Sequence, residues 1–125
     1  ALEPSLQHLA GPGDFSYQGG SLPLEPSMAS RARRLAARAV GSLPGPVGYL
    51  GVDLIMGDDP AGSGDVVIEI NPRLTTSYVG LRALSRVNLA ATMIAVACGR
   101  EIELCWNSGK IVFTSSGTVG WQLPA

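Results

Sequence analysis

The fold of this chain depends on two short segments, Gly48-Tyr49-Leu50-Gly51-Val52-Asp53-Leu54-Ile55 and Val67-Ile68-Glu69-Ile70-Asn71-Pro72-Arg73. Both consist mainly of β-branched, aromatic and other apolar residues, which favour strands. We place the strands at residues 47–56 and 66–71, where Pro72 ends the second. The loop between them is rich in Gly, Asp, Pro and Ser. Two strands joined by so short a loop are expected to pair as an antiparallel hairpin.

The second strand carries polar side chains on one face. Alternate side chains of a strand point to the same side of a sheet. This alternation predicts that Glu69 and Asn71 project together beside Val67. The same pattern turns Ile68 and Ile70 towards the core.

The first strand adds a second carboxylate. Asp53 shares a face with Ile55. If the hairpin aligns Asp53 with Glu69, three oxygen-bearing side chains, those of Asp53, Glu69 and Asn71, converge on one spot. Two neighbouring carboxylates repel each other and lose hydration. A hard divalent cation such as magnesium removes that conflict, and it often lies between carboxylates and nucleotide phosphates. Solvent-facing residues of an ordinary amphipathic sheet would give the same spacing, so spacing alone leaves both interpretations open.

The amino-acid sequences of the two segments resemble those of the ATP-grasp superfamily. In that family an acidic residue on one strand and a Glu-x-Asn on the next bind the magnesium ions that hold the ATP phosphates. The resemblance implies that Asp53, Glu69 and Asn71 are the metal ligands, for two Mg²⁺ ions with Mn²⁺ as the alternative. It also implies a catalytic role for Arg73, which would face phosphate or an acyl-phosphate intermediate.

Further residues are expected to bind the nucleotide and the substrate. Glu69 contributes to cofactor binding through the metal, and Ile55 and Val67 would supply an apolar surface for part of the adenine ring. Three hydroxyl residues follow the motif and are expected to line the substrate pocket, namely Thr75, Thr76 and Ser77. An equal alternative is that they only cap or turn the chain.

The resemblance implies a ligase that uses ATP to activate a small carboxylate as an acyl phosphate and then joins it to an amine. The run from residue 70 to residue 77 is most similar to the tyramine–glutamate ligase branch, and carbamoyl-phosphate synthases carry a similar Asn-Pro-Arg. An alternative from another class is a non-catalytic binding or scaffold module that keeps the ATP-grasp fold. A third is a cation-binding hairpin unrelated to ATP.

A complete ATP-grasp domain has an earlier half with phosphate-contacting lysines and an adenine hinge. The single lysine here, Lys110, lies after the motif. The resemblance therefore implies that residues 1–125 are the C-terminal part of an ATP-grasp domain. The missing N-terminal half becomes an expected partner, and the isolated chain is expected to bind ATP weakly or not at all.

The rest of the sequence predicts an α+β fold in which an antiparallel sheet packs against helices. Ser27 is the expected N-cap of the first helix. Residues 19–26, 73–80 and 115–120 have loop chemistry, and Tyr17 with Gly19 and Gly20 is expected as a turn or as a mobile loop over the substrate. The further predicted elements are a strand at 2–9, a turn at 11–14, helices at 27–41 and 86–98, and a strand at 111–114.

Composition limits the class of protein. Hydrophobic residues make up 46% and charged residues 15% of the chain, which is a globular composition. The net charge of −1 provides no basic field to attract nucleic acid or an anionic membrane, and neither is expected as a partner. A chain with so few charged residues is expected to have an apolar surface, covered by another part of the protein or by a partner. That partner includes a second copy of the chain in a homo-oligomer.

The two cysteines, Cys98 and Cys105, lack the short spacing of a zinc site. We expect free thiols and a cytoplasmic protein. The apolar stretch at residues 89–98 is too short to cross a bilayer, which requires about 20 residues. It predicts a buried helix, with Cys98 in the core.

Overall fold

The computed structural model describes residues 1–122, in which six strands form two antiparallel sheets and three helices accompany them. The strands are β1 Leu6–Gly11, β2 Asp14–Leu22, β3 Gly51–Ile55, β4 Val66–Asn71, β5 Lys110–Thr114 and β6 Val119–Gln122. The helices are α1 Pro26–Gly41, α2 Ser77–Leu84 and α3 Leu89–Ala97. One sheet has the order β1-β2-β5-β6, and the other is the β3-β4 hairpin. The predicted α+β class with antiparallel strands is therefore confirmed.

The core lies between α2 and the four-stranded sheet. Gly80 allows this packing, because a Cβ there would lie 2.5 Å from Leu22 Cδ2 and 2.6 Å from Phe113 Cδ1. The helix therefore approaches the strands more closely than a residue with a side chain would permit. The buried residues of this cluster are Leu22, Leu81, Leu84, Leu89, Ile111 and Phe113.

Strand β2 replaces the loop or turn expected around residues 17–22. Gly19 and Gly20 pair with Thr114 and Phe113 of β5. A Cβ at Gly19 would lie 2.0 Å from the Phe113 carbonyl oxygen, and one at Gly20 would lie 2.7 Å from Phe113 Cζ. The two glycines therefore mark a close approach of two strands, and the prediction of a mobile loop with Tyr17 is wrong.

Helix α1 begins differently from the prediction. Glu25, rather than Ser27, is the N-cap, and its carboxylate accepts hydrogen bonds from the backbone N–H groups of Ser27 at 3.0 Å and Met28 at 3.3 Å. Pro26 occupies the first turn, where its missing N–H costs nothing because that donor would have no partner within the helix. The predicted helix at 27–41 is otherwise confirmed.

Two elements fall in segments expected as loops. Helix α2 begins at Ser77, inside the segment 73–80, and β6 begins at Val119, inside the segment 115–120. Both are short and are fixed by tertiary contacts: α2 packs on β2 and β5, and β6 pairs with β5. Packing of this kind overrides weak local propensity.

Helix α3 is less buried than predicted. Asn88 caps it and Leu89 is buried, but Ile94 is 62% exposed and Cys98 is exposed at the C-cap. The expectation of a buried helix with Cys98 in the core is therefore wrong, because only the first turn of α3 reaches the core. Both cysteines are free, as predicted. No helix within residues 1–122 is long and apolar enough to cross a membrane.

The β3-β4 hairpin is attached to α1 by an ion pair. Arg31 Nε donates to Asp65 Oδ2 at 3.1 Å, a second guanidinium nitrogen donates to Asp65 Oδ1, and the same nitrogen donates to the Gly57 carbonyl at 3.0 Å. The Gly57 N–H donates to Asp65 at 2.9 Å. The Arg31 guanidinium lowers the pKa of Asp65 below its usual value. This bidentate arrangement fixes the loop end of the hairpin on the helix.

Substitution of the core aromatic tests this arrangement. Phe113→Ala is expected to lower the free energy of unfolding by about 3–5 kcal/mol, because it removes a fully buried ring and leaves a cavity. Urea unfolding measures the change. Phe15→Ala is the matched control: Phe15 is 81% exposed, so its loss is expected to change stability by no more than about 0.5 kcal/mol. Equal effects of the two substitutions would contradict the assigned core.

Candidate metal centre

The hairpin register brings the predicted polar side chains together. Asp53 lies directly opposite Glu69, and Gly51 lies opposite Asn71. Directly opposed residues point to the same face of a sheet. Asn71 Nδ2 donates to Glu69 Oε1 at 2.8 Å and lies 3.5 Å from Asp53 Oδ2. The side chains of Asp53, Glu69 and Asn71 therefore meet at one point, as the alternation pattern predicted.

A β-bulge follows immediately. Beyond Asp53 the register shifts by one residue, so that Leu54 lies opposite Val67 and Ile68 is the extra residue. A bulge interrupts the regular alternation of faces. Val67 therefore shares the face of Leu54, and its predicted position beside Glu69 is wrong. Ile68, which was expected to face the core, is 58% exposed.

An open cavity of about 1240 Å³ lies beside the centre. Its lining includes Asp53 and Ile55 on one face of β3 and Val52 and Leu54 on the other, so the cavity wraps around the unpaired edge of that strand. Val67 is not part of this lining. Ligand pockets typically have volumes of about 300–1,000 Å³, and the volume of this cavity exceeds that range. The cavity is therefore large enough for a nucleotide.

The two carboxyl groups perturb each other. Partial burial, and then the neighbouring Glu69 carboxylate, raises the pKa of Asp53 above its usual value. Hydrogen bonds from Asn71 and from Asp53 lower the pKa of Glu69. The pair therefore holds a proton on Asp53 more readily than on Glu69, because burial and the neighbouring carboxylate oppose ionisation of Asp53.

The donor set suits a hard divalent cation. Two carboxylates and one amide oxygen are available, and Mg²⁺ is commonly held by one or two protein carboxylates together with phosphates. Asn71 turns its NH₂ group towards the carboxylates here, and this neutral donor partly offsets their repulsion. Within residues 1–122 there is no cluster of three or more His, Cys, Asp or Glu. A cation at this centre would therefore need the amide oxygen of Asn71 as its third protein ligand.

Arg73 supplies positive charge at the edge of the site. Coulombic attraction to its guanidinium partly opposes the rise in the pKa of Asp53, which burial and Glu69 cause, and adds a smaller contribution to the lowered pKa of Glu69, which hydrogen bonds cause. Arg73 is exposed, lines the cavity, and donates to the Leu74 carbonyl at 3.3 Å. An exposed guanidinium beside the two carboxylates is available to bind an anionic group.

The three predicted substrate residues line the same cavity. Thr75 Oγ1 lies 2.8 Å from Ser77 Oγ, and the Tyr49 hydroxyl lies 3.4 Å from each of them. A Cβ at Gly51 would lie 2.4 Å from Thr75 Cγ2, so glycine allows this turn to pack on β3. Thr76 occupies the N-cap of α2, but its side chain makes no capping hydrogen bond. The three residues therefore lie on the cavity wall, and Thr76 does not cap the helix through its side chain.

Two residues of the other sheet reach the centre: Gln7, which sequence reasoning missed, and Tyr17, which was expected in a turn or a mobile loop over the substrate. Gln7 Nε2 donates to Asp53 Oδ1 at 3.0 Å. Burial, and then the charge of Asp53, raises the pKa of Tyr17. Both residues line the cavity. No spacing rule links either of them to the hairpin, because the contacts form between distant parts of the chain.

The raised pKa of Asp53 predicts a stability effect. The charged carboxylate destabilises the folded state, and this penalty develops as the pH rises above the ordinary pKa of 3.8. Asp53→Asn is therefore expected to raise the thermal midpoint at pH 7 in the presence of a chelator. The gain is expected to vanish below that ordinary pKa, where both side chains are neutral.

Thermal unfolding across this pH range checks the sign. Asp14→Asn is the control with the opposite expectation, because hydrogen bonds from Ser16 lower the pKa of Asp14 and its carboxylate stabilises the fold at neutral pH. A lower midpoint for Asp53→Asn at pH 7 would contradict the described repulsion.

Comparison with known proteins identifies the family of this chain. Residues 2–77 match the family of ATP-grasp domains. The chain is 33% identical over 87 residues to the tyramine–L-glutamate ligase of Methanocaldococcus jannaschii, a match that covers 70% of this chain and 26% of that protein. It is 33% identical over 86 residues to the enzyme of the same name from Methanocaldococcus fervens, a match that covers 69% of this chain and 27% of that protein.

The chain thus spans about a quarter of the length of these curated relatives. No solved structure matches the chain. The chain belongs to the ATP-grasp family.

Proposed function

We propose that the protein is an ATP- and magnesium-dependent carboxylate–amine ligase, and that residues 1–125 form the metal-binding, C-terminal part of its ATP-grasp domain. The observation that carries this proposal is the meeting of Asp53, Glu69 and Asn71 across the hairpin. Family membership supports the use of ATP. The expected partner is the N-terminal half of the domain, which would supply the lysines and the adenine hinge.

The proposed reaction has two steps. A carboxylate oxygen of the substrate attacks the terminal phosphorus of ATP, the bond to the bridging oxygen breaks, and ADP leaves. The amine nitrogen then attacks the acyl carbon of the acyl phosphate, phosphate leaves, and the nitrogen loses a proton to give the amide. Positioning and charge neutralisation provide most of the acceleration in such phosphoryl transfers.

The residues have separate roles in this scheme. Asp53, Glu69 and Asn71 hold Mg²⁺ or Mn²⁺, which when bound neutralises charge on the phosphate oxygens. Arg73 pairs with the transferred phosphate or with the carboxylate, because its planar guanidinium makes two parallel hydrogen bonds to such groups. Ile55 offers apolar surface to the nucleotide, whereas Val67 lies outside the cavity lining.

The hydroxyl groups beyond the motif are assigned to the substrate. They share the cavity wall with Arg73, so a substrate carboxylate in the cavity would have both hydrogen-bond donors and a positive charge available. The similar archaeal proteins are named for tyramine and L-glutamate. L-Glutamate as the carboxylate and tyramine as the amine are therefore the first pair to test. The residues concerned are Thr75, Thr76 and Ser77.

The isolated chain provides a direct test of its place in the domain. If residues 1–125 supply only one wall of the nucleotide site, the 125-residue chain is expected to bind Mg-ATP weakly, with a Kd above about 1 mM. A Kd of about 1 mM corresponds to a binding free energy of about −4 kcal/mol. Isothermal titration calorimetry measures this. Tight binding by the chain alone would show that it contains a complete nucleotide site.

Glu69→Gln tests the metal centre in the complete protein. This substitution keeps the size of the side chain and removes the charge that a divalent cation requires. ATP-dependent phosphate release with the carboxylate and amine is expected to fall by about 10²–10³-fold, the range for loss of one preorganised electrostatic contact. Glu103→Gln is the matched control, because Glu103 is exposed and is not part of the cavity lining.

The outcome also separates the alternatives. Unchanged activity in Glu69→Gln under limiting magnesium would reject the assigned centre. A wild-type protein that binds Mg-ATP but turns over no carboxylate and amine pair would favour the scaffold module. Cation binding with no nucleotide binding in the complete protein would favour the hairpin unrelated to ATP.

A further inference from the structure

One side-chain hydrogen bond joins the two sheets within residues 1–122. Gln7, on β1 of the four-stranded sheet, donates from Nε2 to Asp53 Oδ1 on β3 at 3.0 Å. The hairpin otherwise packs mainly on α1. The orientation of the Asp53 carboxylate therefore depends on a residue from a different sheet, 46 positions away in the chain.

The two oxygens of Asp53 have different neighbours. Oδ1 accepts the hydrogen bond from Gln7, while Oδ2 lies 3.5 Å from the amide nitrogen of Asn71 and so faces the centre. The terminal torsion of an aspartate has a broad, two-fold energy profile, so it is not fixed by local geometry. A donor on one oxygen restricts this rotation and keeps the other oxygen directed at Glu69 and Asn71.

Gln7 is well placed for this role although its side chain is exposed. Its backbone pairs with Gly20 of β2. Gly20 is buried against the Phe113 ring, since a Cβ at that position would lie 2.7 Å from Phe113 Cζ and 2.5 Å from the Leu6 carbonyl oxygen. The strand that carries Gln7 is therefore anchored on the hydrophobic core, and the amide extends from a fixed backbone.

We propose that Gln7 is a positioning residue for the metal centre, holding the Asp53 carboxylate with Oδ2 towards Glu69 and Asn71. This inference rests on the proposed function, because it assigns a role to the same centre. Gln7 is neutral, so it orients the carboxylate without cancelling the charge that attracts a cation. Groups that orient metal ligands in this way commonly change metal affinity by about 10–100-fold when they are removed.

Mn²⁺ binding to the complete protein tests the inference. The loss of the free Mn²⁺ signal in electron paramagnetic resonance, without nucleotide, gives the Kd. Gln7→Leu removes the donor and is expected to raise the Kd for Mn²⁺ on the order of 10-fold. Gln7→Asn keeps the amide but shortens the side chain by one methylene, and the same weakening is expected because the amide no longer reaches Asp53.

Gln18→Leu is the matched control, because it makes the same chemical change at an exposed position that does not line the cavity. Its Kd for Mn²⁺ is expected to equal that of the wild type, and all the variants are expected to share one thermal midpoint. The positioning role would be overturned if Gln7→Leu weakened Mn²⁺ binding and also lowered the thermal midpoint, while Gln18→Leu weakened Mn²⁺ binding to the same extent.

Asp53→Asn distinguishes failure of this inference from failure of the proposed function. If Asp53→Asn weakens Mn²⁺ binding and Gln7→Leu does not, the role of Gln7 is rejected and the centre stands. If wild type and Asp53→Asn bind Mn²⁺ equally, the centre itself is rejected and the role of Gln7 falls with it.

Discussion

The pairing of Asp53 with Glu69 across the β3-β4 hairpin is the constraint on which the site depends. A shift of one residue in this register would move one carboxylate to the opposite face. The correct register places two carboxylates close enough to perturb the pKa of both. The hairpin thus accepts electrostatic repulsion in the folded state, which is the pattern expected where stability is sacrificed for binding. A divalent cation would turn that repulsion into affinity.

Two separate scaffolds hold this arrangement. The loop end of the hairpin is fixed to α1 by the Arg31–Asp65 ion pair. On the other side, the Phe113 core supports β2 and β1, and Gln7 extends from there to Asp53. A two-stranded hairpin has little stability of its own, so these attachments determine where its carboxylates lie. The exposed residues of α3 and the unpaired edge of β3 leave apolar surface, which in the proposed function the N-terminal half of the domain would cover.

Local rules predicted part of this structure and missed the parts that depend on distant contacts. The hairpin and its polar face follow from strand alternation and the Glu-x-Asn spacing. The bulge at Ile68, which moves Val67 away from Glu69, has no local signature. Gly20 and Gly80 have the chemistry of loops, but in the structure they make room for a remote aromatic ring. The α3 helix was predicted to be buried on its hydrophobicity alone, although most of it lacks a partner within residues 1–122.

The central claim is that Asp53, Glu69 and Asn71 together hold the divalent cations of the site. Anomalous diffraction from crystals of the complete protein, grown with Mn²⁺ and a non-hydrolysable ATP analogue, tests it most directly. The account predicts a manganese peak in contact with oxygens of all three side chains and with phosphate oxygens of the analogue. A nucleotide-bound structure whose manganese touches neither carboxylate of the hairpin would contradict it.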